Sequence, residues 1–238
     1  MVYKRNDFVL FLYEGQKKYG RIRVIRQTPD GVKVAMFVFL EWKLYKNISP
    51  ENIIEVIPTI HSLNELKKLD LRVGSKLYLG SYISADGTWS RRNTVDYPLR
   101  WTVKKKSSKE LTILCDWIVE TCPLTEFNLY VESISLEAFS VAERSIIMSC
   151  DSNGSIKSCL CLPEIEDVCD ENGKPEIMAS PFLWALFESN IEFDIEEQFP
   201  YWVASNKPEI NIVAPWGWDK AEDNADAIGY RPKAVIKL

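Results

Sequence analysis

The sequence predicts an α+β protein, with a small N-terminal β-barrel over residues 1–60, a linker helix at 61–70 and a mixed domain over 71–238. Three observations lead there. Short alternating apolar and polar stretches, broken by turn dipeptides such as Asp30-Gly31, fill the first sixty residues. Leu63, Leu66 and Leu69 then recur at helical spacing behind Ser62, a residue type favoured at helix N-termini. Beyond Leu71 strand-like stretches return, joined late by residues 180–187, which read as a helix with Pro181 placed where a missing N–H costs least.

Taken in order, residues 8–13 form an apolar strand and residues 14–18 a turn. Residues 19–26 alternate, with Ile22 and Val24 facing one way and Arg21 and Arg23 the other. Asp30-Gly31 is a hairpin signal leading into a strand at 32–39, and residues 52–57 close the set before Pro58. Strands this short, at this spacing, fit an SH3-like or Tudor-like barrel. In the second region residues 73–82 form a strand, and residues 84–94 form a polar loop containing Asp86-Gly87 and Trp89. Residues 97–103 pair with 110–117 across a turn at 104–109, and residues 145–149 supply another strand.

No stretch approaches the roughly 18 consecutive apolar residues of a membrane-spanning helix. The N-terminus has charge but no cleavable apolar segment, since the run at 8–13 is cut off by Glu14. The expectation is a cytoplasmic protein, or one assembled into a virion, whose six cysteines are reduced. The net charge of −5 hides an asymmetry. Residues 1–112 carry 21 Lys/Arg and 11 Asp/Glu, a balance of +10, while residues 113–238 carry 8 and 23, a balance of −15. Such a split suits a basic face for an acidic partner, or two halves that dock on each other, or charges that are simply solvated.

Five short segments occur in an order similar to that of the DUF6273-type domains of bacteria and phages, whose function is uncharacterised. They are Gly80-Ser81-Tyr82, Pro98-Leu99-Arg100-Trp101-Thr102-Val103, Ile146-Ile147-Met148-Ser149, Tyr201-Trp202-Val203-Ala204-Ser205 and Gly229-Tyr230-Arg231-Pro232-Lys233-Ala234. The resemblance covers residues 71–238 and implies a C-type-lectin-like fold, with its first and last strands side by side and long loops displayed for binding. This chain has Val203-Ala204 where the family has Leu-Arg, so that arginine is missing.

Candidate sites follow from residue type and place. Trp216 and Trp218, in a loop with Pro215 and Gly217, are the leading binding residues, because exposed indoles serve as sugar platforms and interface anchors. Trp89, beside Arg91 and Arg92, is a second candidate. Asp219, Glu222, Asp223 and Asp226 form an acidic stretch that would suit Ca²⁺. Cys150, Cys159, Cys161 and Cys169 lie within twenty residues, but their spacing is not that of a zinc ribbon. No cofactor is therefore expected, with Ca²⁺ or Zn²⁺ as the exceptions to test. Arg231, Trp202 and Trp101 have structural tasks on this reading. His61 is the only histidine and falls in the linker, which argues against histidine-based catalysis.

The expected function is a non-enzymatic binding protein, phage- or mobile-element-encoded and virion-associated, that presents loops to a protein or glycan partner within a larger assembly. One alternative is an inhibitor or regulator that engages a nucleic-acid-handling complex through its acidic half. Another is an enzyme using carboxylates or cysteine. Direct nucleic-acid binding would fall to Lys17, Lys18, Arg21, Arg23 and Arg26 of the basic half.

Overall fold

The structure, a computed structural model, describes residues 2–38, 41, 43–82, 97–150, 156–176, 178–179, 198–225 and 228–238. The chain divides into two compact units, one of residues Met1–Thr59 with Lys76–Tyr78, the other of Ile60–Ser75 with Leu79–Leu238.

In the first unit β1 (Phe8–Tyr13), β2 (Gln16–Thr28), β3 (Gly31–Val38), β4 (Lys43–Ile48) and β5 (Ile53–Ile57) form one antiparallel sheet, ordered β4-β3-β2-β1-β5. The turn expected over residues 14–18 is tighter. Glu14 and Gly15 alone make it, both at positive φ (49° and 80°), as a two-residue hairpin between right-twisted strands requires. A one-turn 3-10 helix, Pro50–Asn52, reverses the chain so that β5 returns to β1. Alternation puts Val9, Phe11, Ile22, Val34, Met36, Val38, Tyr45, Ile48 and Ile53 into one core.

The second unit opens with α1 (Leu63–Lys68). Ser62 accepts a hydrogen bond from the Glu65 N–H, and Lys67 and Lys68 occupy the last turn, where cations suit the helix dipole. Then come β6 (Lys76–Tyr82), whose first three residues belong to the first unit, β7 (Tyr97–Lys106), β8 (Glu110–Cys115), β9 (Glu120–Thr121), α2 (Phe127–Glu137) and α3 (Val141–Ile147). β10 (Met148–Cys150) and β11 (Ile156–Ser158) make a two-stranded ribbon, β12 (Leu160–Cys161) follows, and β13 (Met178–Ala179) pairs with β14 (Gln198–Phe199). The chain ends with β15 (Tyr201–Trp202), β16 (Ile212–Ala214), β17 (Gly217–Asp219), β18 (Gly229–Tyr230) and β19 (Lys233–Lys237). Two five-stranded sheets result, ordered β12-β19-β8-β7-β6 and β17-β16-β15-β18-β9.

Three expectations are corrected. The fold is mostly β rather than α+β, with 46% strand against 18% helix among the described residues. The expected pairing of β7 with β8 forms, but β9, β12, β16 and β17 add further sheet, and among the described residues the α-helices are the three short ones α1, α2 and α3. Residues 145–149 are mainly helix, because Ser140 and Glu143 form a reciprocal capping box that starts α3 upstream and carries it to Ile147. The first and last strands of the larger region are not neighbours either. The β7–β8 hairpin lies between β6 and β19, since β8, buried along most of its length, takes β7 on one side and β19 on the other. The helix expected at 180–187 lies outside the described residues.

The last ten residues contribute two strands to two sheets. β18 pairs with β9 and β19 pairs with β8, so residues 110–121 and 229–237 run together through both sheets and bend together at one corner. The pairing continues around the bend, with the Cys115 N–H donating to the Pro232 carbonyl (2.8 Å) and the Val119 N–H to the Tyr230 carbonyl (2.9 Å). Pro232 suits this place because it need not donate. Gly229 is required by contact: a Cβ there would lie 2.4 Å from Ile118 Cγ2 and 3.0 Å from the Pro200 carbonyl oxygen.

Candidate functional site

The corner carries a buried polar network. Arg231, 2% exposed, donates from Nε to the Cys115 carbonyl (2.9 Å), from Nη2 to Glu176 Oε2 (2.8 Å) and from Nη1 to the Tyr201 hydroxyl (3.4 Å). The Tyr201 hydroxyl donates to the Glu176 carbonyl (2.6 Å), and Lys104 Nζ reaches Glu176 Oε1 (3.0 Å). Burial alone would lower the Arg231 pKa, but Tyr201 and Glu176 outweigh it and the pKa is raised. Tyr201 is itself pushed up to about 12 by burial. Trp202 and Trp101 are fully buried; their indole N–H groups donate to the carbonyls of Cys122 (2.7 Å) and Leu79 (2.8 Å).

A second buried pair follows on β19. Lys233 Nζ lies 2.6 Å from Asp167 Oδ2 and 3.4 Å from Glu164 Oε2. Lys105 Nζ approaches Asp167 Oδ1 at 3.4 Å. Burial would raise the Asp167 pKa, yet the Lys233 hydrogen bond, the Glu164 N–H and both lysine charges hold it below the ordinary value. These contacts join segments far apart in the chain: residues 104–105, 115, 164–176, 201 and 231–233.

The tryptophan loop is a hairpin. β16 and β17 pair with Ala214 opposite Gly217, so Pro215 and Trp216 form its tip, and Gly217 takes a φ of 122° there. The two indoles separate. Trp218 is half-buried and packs on the apolar cluster of Leu114, Ile118, Val168, Tyr201, Val203 and Val213. Trp216 is 76% exposed. It is nonetheless tethered, because its Nε1 donates to Asp219 Oδ2 at 2.6 Å while the Lys220 N–H donates to Asp219 Oδ1 at 2.8 Å. Those two donors hold the Asp219 carboxyl below its ordinary pKa.

Asn211 braces the hairpin from behind. Its side chain both donates to the Ala221 carbonyl (3.0 Å) and accepts from the Ala221 N–H (2.9 Å), and its backbone N–H bonds the Asp219 carbonyl (3.1 Å). Neither Asn211 nor Glu176 stands out in the sequence, since each acts on a segment distant along the chain.

The other candidates are dispersed. Asp223 is exposed and its backbone carbonyl accepts from the Thr125 N–H (3.1 Å). Trp89, Arg91, Arg92 and Asp226 lie outside the described residues, as does the Cys150 side chain. Among the described residues no group of three or more His, Cys, Asp or Glu side chains is placed to hold a metal ion. Burial pushes Cys115 and Cys122 up to about 12 and raises Cys161 and Cys169, which disfavours thiolates. Cys169 Sγ is instead directed at the Ile165 carbonyl (3.1 Å). His61 is well exposed, with Nδ1 3.1 Å from Glu143 Oε1. No helix among the described residues is long and apolar enough to cross a membrane.

No protein-family model, curated protein or solved structure matches this chain.

Proposed function

We propose that this is a non-enzymatic binding protein whose β16–β17 hairpin presents Trp216 to a partner protein in a larger assembly. The observation that carries the reading is an indole that is 76% exposed and yet fixed by a hydrogen bond to Asp219. A large apolar side chain held in one orientation loses little conformational freedom on docking, which is what makes tryptophan an interface anchor. Asn211 and the burial of Trp218 keep the tip on a rigid base. A phage or mobile-element setting, in which the assembly is a particle, rests on the resemblance to DUF6273-type domains alone.

Affinity capture from the native source, with wild type and Trp216→Ala as paired baits, tests the reading. Specific protein partners recovered by wild type and lost by the variant support it. Partners retained in full by the variant, or capture that a free glycan competes away, overturn it in favour of another surface or a sugar ligand.

A further inference from the structure

A second binding surface lies in the first unit, away from the tryptophan hairpin in sequence and in chemistry. That unit carries 11 Lys/Arg against 6 Asp/Glu. On the face of its sheet opposite the core is a hollow of about 120 Å3. Its lining includes the apolar Val24, Ala35 and Leu44 and the cationic Arg26, Lys33 and Lys46, with no carboxylate among the described residues that line it.

The register explains why the hollow exists. Val24 pairs with Ala35 and Arg26 with Lys33, which sets these four side chains on one face of β2 and β3. Pairing shifts on β2 between Ile22 and Val24, leaving Arg23 as an extra residue. It shifts again between β3 and β4, where Lys46 and Asn47 together fall opposite Ala35, and Asn47 adopts a positive φ of 59°. Two bulges thus flank the central strand at the point where its outward side chain is only a methyl group, and the surface sinks there.

Its chemistry selects an occupant. Leu44 remains 41% exposed. Lys33 Nζ bonds only a hydroxyl, Ser49 Oγ at 3.0 Å, and neither Arg26 nor Lys46 has a carboxylate partner among the described residues. A lining both cationic and apolar fits an acidic ligand with an apolar side chain. The volume equals that of about four waters, which is room for one aliphatic group. Among the described residues the lining holds no aromatic ring for a base to stack on, which disfavours single-stranded nucleic acid. A second copy of the same face would bring like charges together. Among the described residues β4 is a sheet edge, so an extended segment can lie along it.

We infer that this hollow binds an extended acidic segment of a partner protein, seating one aliphatic side chain on Ala35 and pairing its carboxylates with Arg26, Lys33 and Lys46. The test uses the full chain and an array of peptides in which Asp and Glu flank one position varied over aliphatic, aromatic and polar residues. An oligothymidylate of matched net charge serves as competitor. Acidic peptides with an aliphatic centre should bind, with affinity falling as salt rises. Ala35→Leu fills the hollow and should weaken binding about tenfold, and Arg26→Ala with Lys46→Ala should weaken it similarly while flattening the salt dependence. Trp216→Ala should leave it unchanged. Unaltered urea midpoints exclude misfolding as the cause. Failure of every acidic peptide to bind, full affinity in Ala35→Leu, indifference to the central residue, or tighter binding by the oligothymidylate would each overturn the inference.

Discussion

The corner at Arg231-Pro232 and the hairpin at Pro215-Trp216 use the same kinds of residue to opposite ends. Both set an aromatic or cationic side chain against a carboxylate. At the corner Arg231 is 2% exposed and its guanidinium meets a carbonyl, a carboxylate and a hydroxyl from three separate segments. At the hairpin Trp216 is 76% exposed and its partner, Asp219, is three residues away. A polar contact formed in water between near neighbours adds little to stability. One formed in the interior between distant segments costs a great deal to break, because the groups left behind are stranded. The corner therefore holds the fold, whereas the contact at the hairpin tip adds little to it.

Substitutions test this contrast, beginning with the largest effect. Arg231→Ala should destabilise the chain by about 3–5 kcal/mol, read as a lower urea midpoint, since Glu176 and the Cys115 carbonyl lose their shared donor. A result below about 1 kcal/mol would remove the corner from its structural role. Gly229→Ala should cost about 2–3 kcal/mol by overpacking against Ile118 and the Pro200 carbonyl.

Asp167→Asn should cost about 2 kcal/mol at neutral pH and change the pH profile. The Asp167 pKa is depressed below its ordinary 3.8, so its contribution is complete above that value and lost as pH falls through the folded pKa. The Lys233 pKa is raised above its ordinary 10.5, although burial opposes this, so its contribution is complete below that value and lost as pH rises through the folded pKa. Wild type should thus lose more stability than the variant on acidification below about pH 4. Parallel pH curves would contradict the pairing.

The two neighbouring tryptophans sharpen the comparison within one hairpin. Trp218→Ala should cost about 1–3 kcal/mol, because its ring packs on the Tyr201 and Val213 cluster. Trp216→Ala should stay within about 0.5 kcal/mol of wild type in thermal or urea unfolding. Equal losses at the two sites would mean that Trp216 belongs to the scaffold.

How far these features were legible varies with the distance over which they are decided. The strands of the first unit follow from alternation and from Asp30-Gly31, though β4 does not, because its Lys43, Leu44, Tyr45 and Lys46 have no clean period and depend on pairing with β3. The capping box Ser140–Glu143 was open to reading and outweighs the strand-like look of Ile146-Ile147. The strands at 97–103 and 110–117 are expected; the mixed α+β reading fails because β9, β12, β16 and β17, two or three residues each, have no period of their own and exist only through pairing. Within the site, sequence places both tryptophans in one loop but cannot separate them, since the Pro215-Trp216 tip faces water and Trp218 falls on the inner side only once β16 pairs with β17.

By itself the sequence determined the local features: hairpin turns at Gly15 and Asp30-Gly31, a helix start at Ser62, and an aromatic-rich terminal region with Gly-x-Arg-Pro in it. These depend on backbone preferences and neighbouring side chains, which act within a few residues. Tertiary structure alone decided that Gly229–Tyr230 and Lys233–Lys237 enter different sheets, that Arg231 meets Glu176 and Tyr201, and that Ala35 lines a basic hollow. Each of those outcomes depends on which strands become neighbours, a choice made by burying the whole set of apolar faces at once.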